Sequence, residues 1–293
     1  MFKRTIRQSP GIYINEAGVL SKIDSIIKQL KIHLPLVITD QTVKKVSAPF
    51  LPDNFYDEHP LAIFAGANTY PEAQRLSNIA KEINADGVIA LGGGQLMDSA
   101  KLVANSIDGK LINIQTVPSN CAAFTTKSIV YNDKHEMIDN YRVANPVTAV
   151  LLEPQILQEA PTEYINSGIG DTLAKYYEIR RRLPADKLSL ASEAAARYFI
   201  DHCRTEMLKV TNVSQLKGDD LTNFIDTIFL FAATVDGLAD LNGRSVAAHT
   251  FYNAYVKVKR PSHYPHGVVV ALGNLVQVLL EGNQQLATEI RQY

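Results

Sequence analysis

The chain has 293 residues, 46% of them hydrophobic, with 29 Lys and Arg against 30 Asp and Glu for a net charge of -1. That length holds two domains with sizeable cores, and the near-neutral balance excludes a broad nucleic-acid surface, which needs a clustered basic excess. Two cysteines, Cys121 and Cys203, form no disulfide framework and fit a reducing compartment; Met1–Arg7 lacks the apolar core of a secretory signal, no run reaches the roughly 18 apolar residues of a membrane span, and a soluble cytoplasmic protein with no nucleic-acid or membrane partner is expected.

In chain order, Leu34–Thr39 reads as a strand ending at Asp40, and Leu61–Ala65 as a second, short one. Pro71–Ile83 has apolar residues at helical spacing, with Pro71 suited to a first turn. Asp86–Leu91 is an apolar run of the kind found in a buried parallel strand, and it is followed by Gly92-Gly93-Gly94 and a helical pattern over Ser99–Ile107. Leu111–Val117 is the next strand. This β-α-β rhythm predicts a parallel, doubly wound sheet, in which ligands sit beyond the carboxyl ends of the strands. Ser128–Asn132 and Lys134–Ile138 form a predicted hairpin, and Ala149–Glu153 a last strand closed by Pro154. Beyond it, residues 164–182, 185–206, 221–238, 245–255 and 268–280 all have helical periodicity. The expected organisation is an α/β domain over residues 1–153 and an all-helical domain over 154–293.

Three glycines between a strand and a helix suit a backbone that passes close to a phosphate, where free amides and the positive helix end face the anion. Glycine also permits the positive φ of such a turn; the alternative is a glycine-rich turn that binds nothing. In Ser167-Gly-Ile-Gly-Asp171 an aspartate follows two glycines, at or inside a helix start, and reads either as a helix cap or as a ligand. His249 lies among alanines on a later helix, and His266 precedes Gly267 at the start of the next. One carboxylate and two imidazoles give three metal ligands with a fourth position open, a Lewis-acid site for an alcohol or carbonyl oxygen. His33, His59, His135 and His202 read as surface or core residues, and His263 as the one substitute ligand. Asp40, at the end of the second strand, either caps a helix from Gln41 onward or accepts from an adenosine ribose, where it would repel a 2′-phosphate and favour NAD over NADP.

Taken together, Gly92-Gly-Gly-x-x-x-Asp98-x-Ala-Lys101, Gly168-x-Gly-Asp171 and Ala248-His249 before His266-Gly resemble the glycerol dehydrogenase branch of the iron-type, metal-dependent alcohol dehydrogenases. Cys121-Ala-Ala-Phe-Thr, Ser128-Ile-Val-Tyr-Asn-Asp133 and Glu153-Pro-Gln-Ile-Leu-Gln-Glu-Ala-Pro are similar to its hydroxycarboxylate dehydrogenase-like members. The resemblance implies a Rossmann-like α/β domain followed by a helical metal domain (the dehydroquinate synthase-like fold), with a cleft between them. It implies NAD-dependent oxidation of a small secondary alcohol, 2-hydroxy acid or polyol by a homo-oligomer. Asp171, His249 and His266 would hold a divalent metal, zinc rather than iron because Lys175 stands where iron-binding members carry a further histidine. Asp40 would meet the ribose; Gly92, Gly93, Gly94, Gln95 and Leu96 the pyrophosphate, with Asp98 supporting that loop or reaching the nicotinamide. Thr116 and Ser119 would lie along the cofactor, and Thr125, Lys127 and Tyr131 would line its nicotinamide half.

Several positions depart from the family pattern. Cys121 replaces an aspartate that helps hold a polyol, which makes a carboxylate-bearing substrate the better expectation. Lys127 replaces an apolar residue and either pairs with such a carboxylate or is solvated. Tyr252 replaces the second histidine of His-x-x-His-Asn, with a consequence for proton relay. Only Ser119 and Asn120 stand between Pro118 and Cys121, where the family has a longer loop, and the chain stops at Tyr293, where relatives continue with further helices. These last features motivate a shortened, non-catalytic nucleotide-binding paralogue as one alternative. A dehydroquinate synthase-type lyase is another, although the basic set that a phosphorylated substrate needs is not found.

Overall fold

The computed structural model describes residues 5–243, 245–258 and 264–293; His263, the substitute ligand considered above, lies outside them. The chain divides into two compact units. One comprises Ser9–Val117 and Ala122–Ala160, and the other the described residues of Met1–Gln8, Pro118–Cys121 and Pro161–Tyr293.

The first unit is α/β. In chain order it contains β1 (Ile12–Asn15), α1 (Ile23–Gln29), β2 (Pro35–Thr39), α2 (Gln41–Ser47), α3 (Phe55–Glu58), β3 (Leu61–Ile63) and α4 (Tyr70–Glu82). It continues through β4 (Gly87–Gly92), α5 (Gly94–Ser106), β5 (Lys110–Gln115), β6 (Lys127–Tyr131), β7 (Met137–Arg142), β8 (Ala149–Leu152) and α6 (Pro154–Gln158). Six strands form one sheet in the order β1-β8-β5-β4-β2-β3, all parallel. Val88, Ile89, Ala90 and Leu91 are fully buried, as expected for a central parallel strand covered on both faces. Alternate residues divide between them: Val37, Ile89, Leu91, Ile112 and Ile114 meet α1, Leu51, Phe55 and Ile156, and α5 packs across β4 and β5. The edge strand β1 was not anticipated. Each of its four residues is only half-buried, so it lacks the apolar run by which the other strands announce themselves, and its partner β8 lies far along the chain.

The strand order reverses beside β4. From β2 the chain steps outward to β3, then crosses back over β2 to β4 and runs the other way through β5 to β8. The carboxyl ends of β2 and β4 therefore flank a topological switch point, where open α/β sheets bind ligands. The predicted hairpin is present as the two-stranded sheet β6-β7.

The second unit is helical: α7 (Thr162–Ile179), α8 (Ala191–Met207), α9 (Asp219–Asp226), α10 (Ala232–Leu238), α11 (Ala247–Tyr255), α12 (His266–Leu280) and α13 (Gln284–Gln292). A wide turn of π-helix over Thr227–Phe231 joins α9 to α10. The resulting run, Asp219–Leu238, is long and apolar enough to cross a membrane by length and composition, with mean hydropathy 1.3; the count of consecutive apolar residues did not anticipate this. Its window is 44% buried within protein, and Phe224, Ile225, Ile228 and Phe229 are core residues.

Two expectations about glycine are corrected. Asp171 does not lie at a helix start, because α7 runs unbroken through Gly168 and Gly170. These glycines serve close approach: a Cβ at Gly168 would stand 1.7 Å from the Pro118 carbonyl oxygen, one at Gly170 2.2 Å from that of Gly267, and one at Gly267 1.7 Å from that of Ser167. Likewise, none of Gly92, Gly93 and Gly94 has a positive φ. A Cβ at Gly92 would stand 2.7 Å from Leu96 Cδ1, so a side chain there would require Leu96 to shift.

Gly267→Ala should push α12 off α7 and cost about 3 kcal/mol or more, the upper range of overpacking, because the clash is with backbone. A chemical-denaturation midpoint equal to that of the parent would contradict this close contact.

Candidate active site and metal centre

Three helices contribute to one cluster. Asp171 lies in the middle of α7, His249 in the first turn of α11 and His266 at the first position of α12. Gly170 and Gly267 let α7 and α12 touch beside two of these residues. A Cβ at Gly273 would fall 2.6 Å from the Ala248 carbonyl oxygen, so α11 and α12 are equally close beside the third. As a result, Asp171 Oδ1 lies 3.4 Å from His249 Nε2 and 3.3 Å from His266 Nε2. One ligand atom from each residue lies within 4.8 Å of the others. Two ligands bound tetrahedrally to zinc at ~2.1 Å stand about 3.4 Å apart, so the donor set fits a single divalent cation.

Glu178, which the sequence reading missed, organises this cluster. It lies on α7, almost fully buried, and its Oε2 is 2.6 Å from His249 Nδ1. Its Oε1 accepts from the backbone amides of Val246 and His249 at 2.7 and 3.1 Å. One carboxylate thus caps α11 and binds the far side of the imidazole, which directs Nε2 towards Asp171. A carboxylate behind a ligating histidine fixes its tautomer and raises its basicity. The signal available in the sequence was weak: Glu178 is seven residues, two helical turns, beyond Asp171 and so shares its face. His266 has no such partner, since its buried Nδ1 accepts or donates no hydrogen bond among the described residues. Its ring is held by the edge-on ring of Tyr252, centroids 4.3 Å apart, so Tyr252 orients a ligand by packing.

The electrostatics favour positive charge at this point. Burial would raise the Asp171 carboxyl, but hydrogen bonds from His249 and His266 hold it well below its ordinary range. Burial likewise opposes the charged form of Glu178, and the bond to His249 overrides it and lowers its pKa. Burial alone would lower His249, whereas the bonds to Asp171 and Glu178 push it up to about 9. Two buried carboxylates on one imidazole stabilise a cation there, whether a proton or a metal ion.

The nucleotide-binding candidates gather in the α/β unit. Asp40 follows β2 and Gly92 ends β4; Ile38 pairs with Ala90, so Asp40 comes level with Gly92 across the switch point. Both readings of Asp40 are compatible. Its Oδ1 accepts from Thr42 and Val43 and caps α2, while Oδ2 makes neither bond. Gly93 caps α5 in extended conformation, and the first amides of a helix have no partner within it. Thr116 donates its amide to the Gly92 carbonyl at 3.0 Å, and its buried hydroxyl has no partner among the described residues.

The other predicted cofactor residues also make contacts within the protein. Gln95 accepts from the Asn68 amide through Oε1, and Leu96 packs over Gly92. Asp98 is buried, its Oδ1 2.7 Å from Lys101 Nζ and its Oδ2 accepting from the Ile129 amide. Lys101 also donates to the Thr125 hydroxyl at 3.2 Å and the Lys127 carbonyl at 2.7 Å, so Asp98, Thr125 and Lys127 surround one buried ammonium. These bonds fit the loop-supporting role, one of the two expected of Asp98. Tyr131 donates its amide to the Asn68 carbonyl. Asn68 itself, unread in the sequence, is fully buried and bonds Ser99, Ser128 and Ile129. Ser119 and Cys121 group with the helical unit; the Ser119 carbonyl accepts from Ser167 Oγ, and Cys121 is buried and in no disulfide.

Residues 10–152 match the sequence family described as iron-containing alcohol dehydrogenase. Glycerol dehydrogenase of Escherichia coli O6:H1 is 27% identical over 284 residues, covering 94% of this chain and 77% of that protein. Hydroxycarboxylate dehydrogenase A of Escherichia coli K12 is 31% identical over 211 residues, 69% of this chain and 58% of that one. Among solved structures, a probable glycerol dehydrogenase from Sinorhizobium meliloti superposes with a TM-score of 0.83 at 23% identity, covering 98% of this chain and 81% of that one. Residues 10–152 therefore carry an iron-containing alcohol dehydrogenase domain, and the likeness of the chain to glycerol and hydroxycarboxylate dehydrogenases supports an oxidoreductase. It has the dehydroquinate synthase-like fold. The lyase and the non-catalytic alternatives gain no support from these matches.

Glu178→Gln keeps the size of the side chain and removes its charge, so zinc affinity should fall roughly 10–100-fold; competition against a chromophoric chelator reads this directly, and unchanged affinity would remove Glu178 from the metal centre. Asp98→Asn should cost about 3–5 kcal/mol by stranding the Lys101 ammonium, and adding Lys101→Met should recover part of that loss. Additive destabilisation by the two changes in denaturant melts would show that they do not act as a pair.

Proposed function

We propose that the protein oxidises a small 2-hydroxy acid or vicinal diol, or reduces the corresponding carbonyl compound, using NAD(H). The observation that carries this reading is the convergence of Asp171, His249 and His266 from three helices on one point, in a chain whose α/β unit places glycines and an acid at the switch point of its sheet. The helical unit holds the metal and the α/β unit the dinucleotide. A divalent cation held at this site supplies Lewis acidity, which lowers the pKa of an oxygen ligand by several units, as for water from ~15.7 to about 7, and the nicotinamide supplies hydride chemistry.

The chain's own residues bind and orient. Asp171 contributes negative charge, and His249 and His266 neutral nitrogen donors; Glu178 keeps the His249 Nε2 lone pair directed inward through its bond to Nδ1. The amino-terminal amides of α5 receive the pyrophosphate, and Asp40 Oδ2 the adenosine ribose, which favours NAD because a 2′-phosphate would be repelled. Zinc is the preferred ion on the family resemblance, because Lys175 stands where iron-binding members carry a further histidine. The assembly of copies into a homo-oligomer and a cytoplasmic setting complete this reading and rest on the family resemblance.

The metal-loaded protein should turn over one or more hydroxy acids or diols with NAD, followed by the absorbance of the reduced cofactor. Chelation should abolish the activity, zinc should restore it, and Asp171→Asn should lower it by at least ~10³-fold. Absence of turnover by folded, metal-loaded protein across such a panel would overturn the assignment.

A further inference from the structure

Lys175 takes no part in the chemistry above, yet it lies four residues beyond Asp171 on unbroken α7, so the two side chains leave the same face of the helix. Its side chain is only 10% exposed, and its ammonium is within electrostatic reach of Asp171 and of the Cys121 thiol. An ammonium has three donors. Among the described residues this one makes a single, long hydrogen bond, 3.4 Å to Asp236 Oδ1. The buried Lys101 shows what a purely structural lysine looks like in this fold, with bonds of 2.7, 2.7 and 3.2 Å to three acceptors. Burying an ammonium and leaving donors unmade costs stability, so a lysine retained in this condition beside the metal-binding carboxylate is suited to an acceptor that arrives from outside.

Two buried carboxylates, Asp171 and Glu178, and the half-buried Asp236 lie in this region. They would repel an anionic substrate unless a local cation received it. The hydroxyl and carboxylate of a 2-hydroxy acid sit on adjacent carbons, and residues four apart on a helix have Cβ atoms about 5–6 Å apart, a span that such a compact molecule bridges. We propose that Lys175 is the specificity-determining residue of this site, its ammonium receiving the carboxylate of a 2-hydroxy or 2-oxo acid whose reacting oxygen lies at the Asp171–His249–His266 centre. The assignment deepens the proposed function and rests on it for the identity of the reaction.

Oxamate, a non-reacting 2-oxo acid mimic, separates the subsite from the chemistry. Calorimetry on the zinc-loaded chain should show oxamate binding, weakened roughly 10–100-fold in Lys175→Met, the range for one charge-assisted hydrogen bond, and partly retained in Lys175→Arg. The ratio of kcat/KM for lactate over propane-1,2-diol should fall by the same factor. Lys175→Met combined with Asp236→Asn, which leaves no carboxylate stranded, gives the same comparison if the single variant fails to fold. Oxamate binding that is absent from the parent or equal in parent and variants, or a lactate-to-diol ratio that does not move, overturns the proposal. Lys175-dependent oxamate binding by a protein that oxidises neither alcohol leaves the subsite standing and removes the dehydrogenase reading instead.

Discussion

Helices α7 and α12 touch backbone to backbone at Gly170 and Gly267, and the candidate metal centre lies beside that contact. Gly170 and Gly267 each face a carbonyl oxygen or Cα at a distance where a Cβ cannot fit. The residues next to them are Asp171 and His266. Asp171 Oδ1 and His266 Nε2 stand 3.3 Å apart beside this contact. Each glycine costs roughly 1 kcal/mol of helix propensity relative to alanine, and the crossing offsets this by bringing two ligands together without strain in either side chain. The same device recurs between Gly273 and Ala248 for the third ligand.

A second constraint is charge. Asp171 and Glu178 are buried carboxylates held ionised by imidazoles, His249 and His266 at Asp171 and His249 at Glu178. Such an arrangement is expensive in a core whose only task is packing. It suits a positive ion at the point where His249 Nε2, His266 Nε2 and Asp171 Oδ1 converge, as proposed above. In the α/β unit the opposite holds: Lys101 and Asp98 satisfy each other, and the remaining donors of Lys101 fasten Thr125 and the start of β6 to α5. That pair needs no ligand, and its task is to keep the first turn of α5 in place.

Much of this was legible in the sequence because it depends on local pattern. The buried strands β2, β4, β5 and β8 announce themselves by apolar runs, and the helices after Pro161 by a period of 3.6. The ligand triad was legible because aspartate and histidine are conspicuous among glycine and alanine. Edge strand β1, half-exposed and four residues long, carries no such pattern. Glu178, Asn68 and the burial of Lys101 and Lys175 were not legible, because a charged or polar residue on an amphipathic helix reads as solvated until its partners are known.

From its sequence alone this chain determined the order of its elements, the division into an α/β and a helical part, and the identity of three metal-ligand candidates, since each follows from short-range spacing and side-chain chemistry. The tertiary structure decided why the glycines are there, which oxygen of Asp40 is spent on a helix cap, and that one glutamate both caps α11 and aims His249. The first and last of these depend on distances between segments up to a hundred residues apart in the chain, such as Ser167 and Gly267, and spacing along a sequence carries no information about approach across a fold.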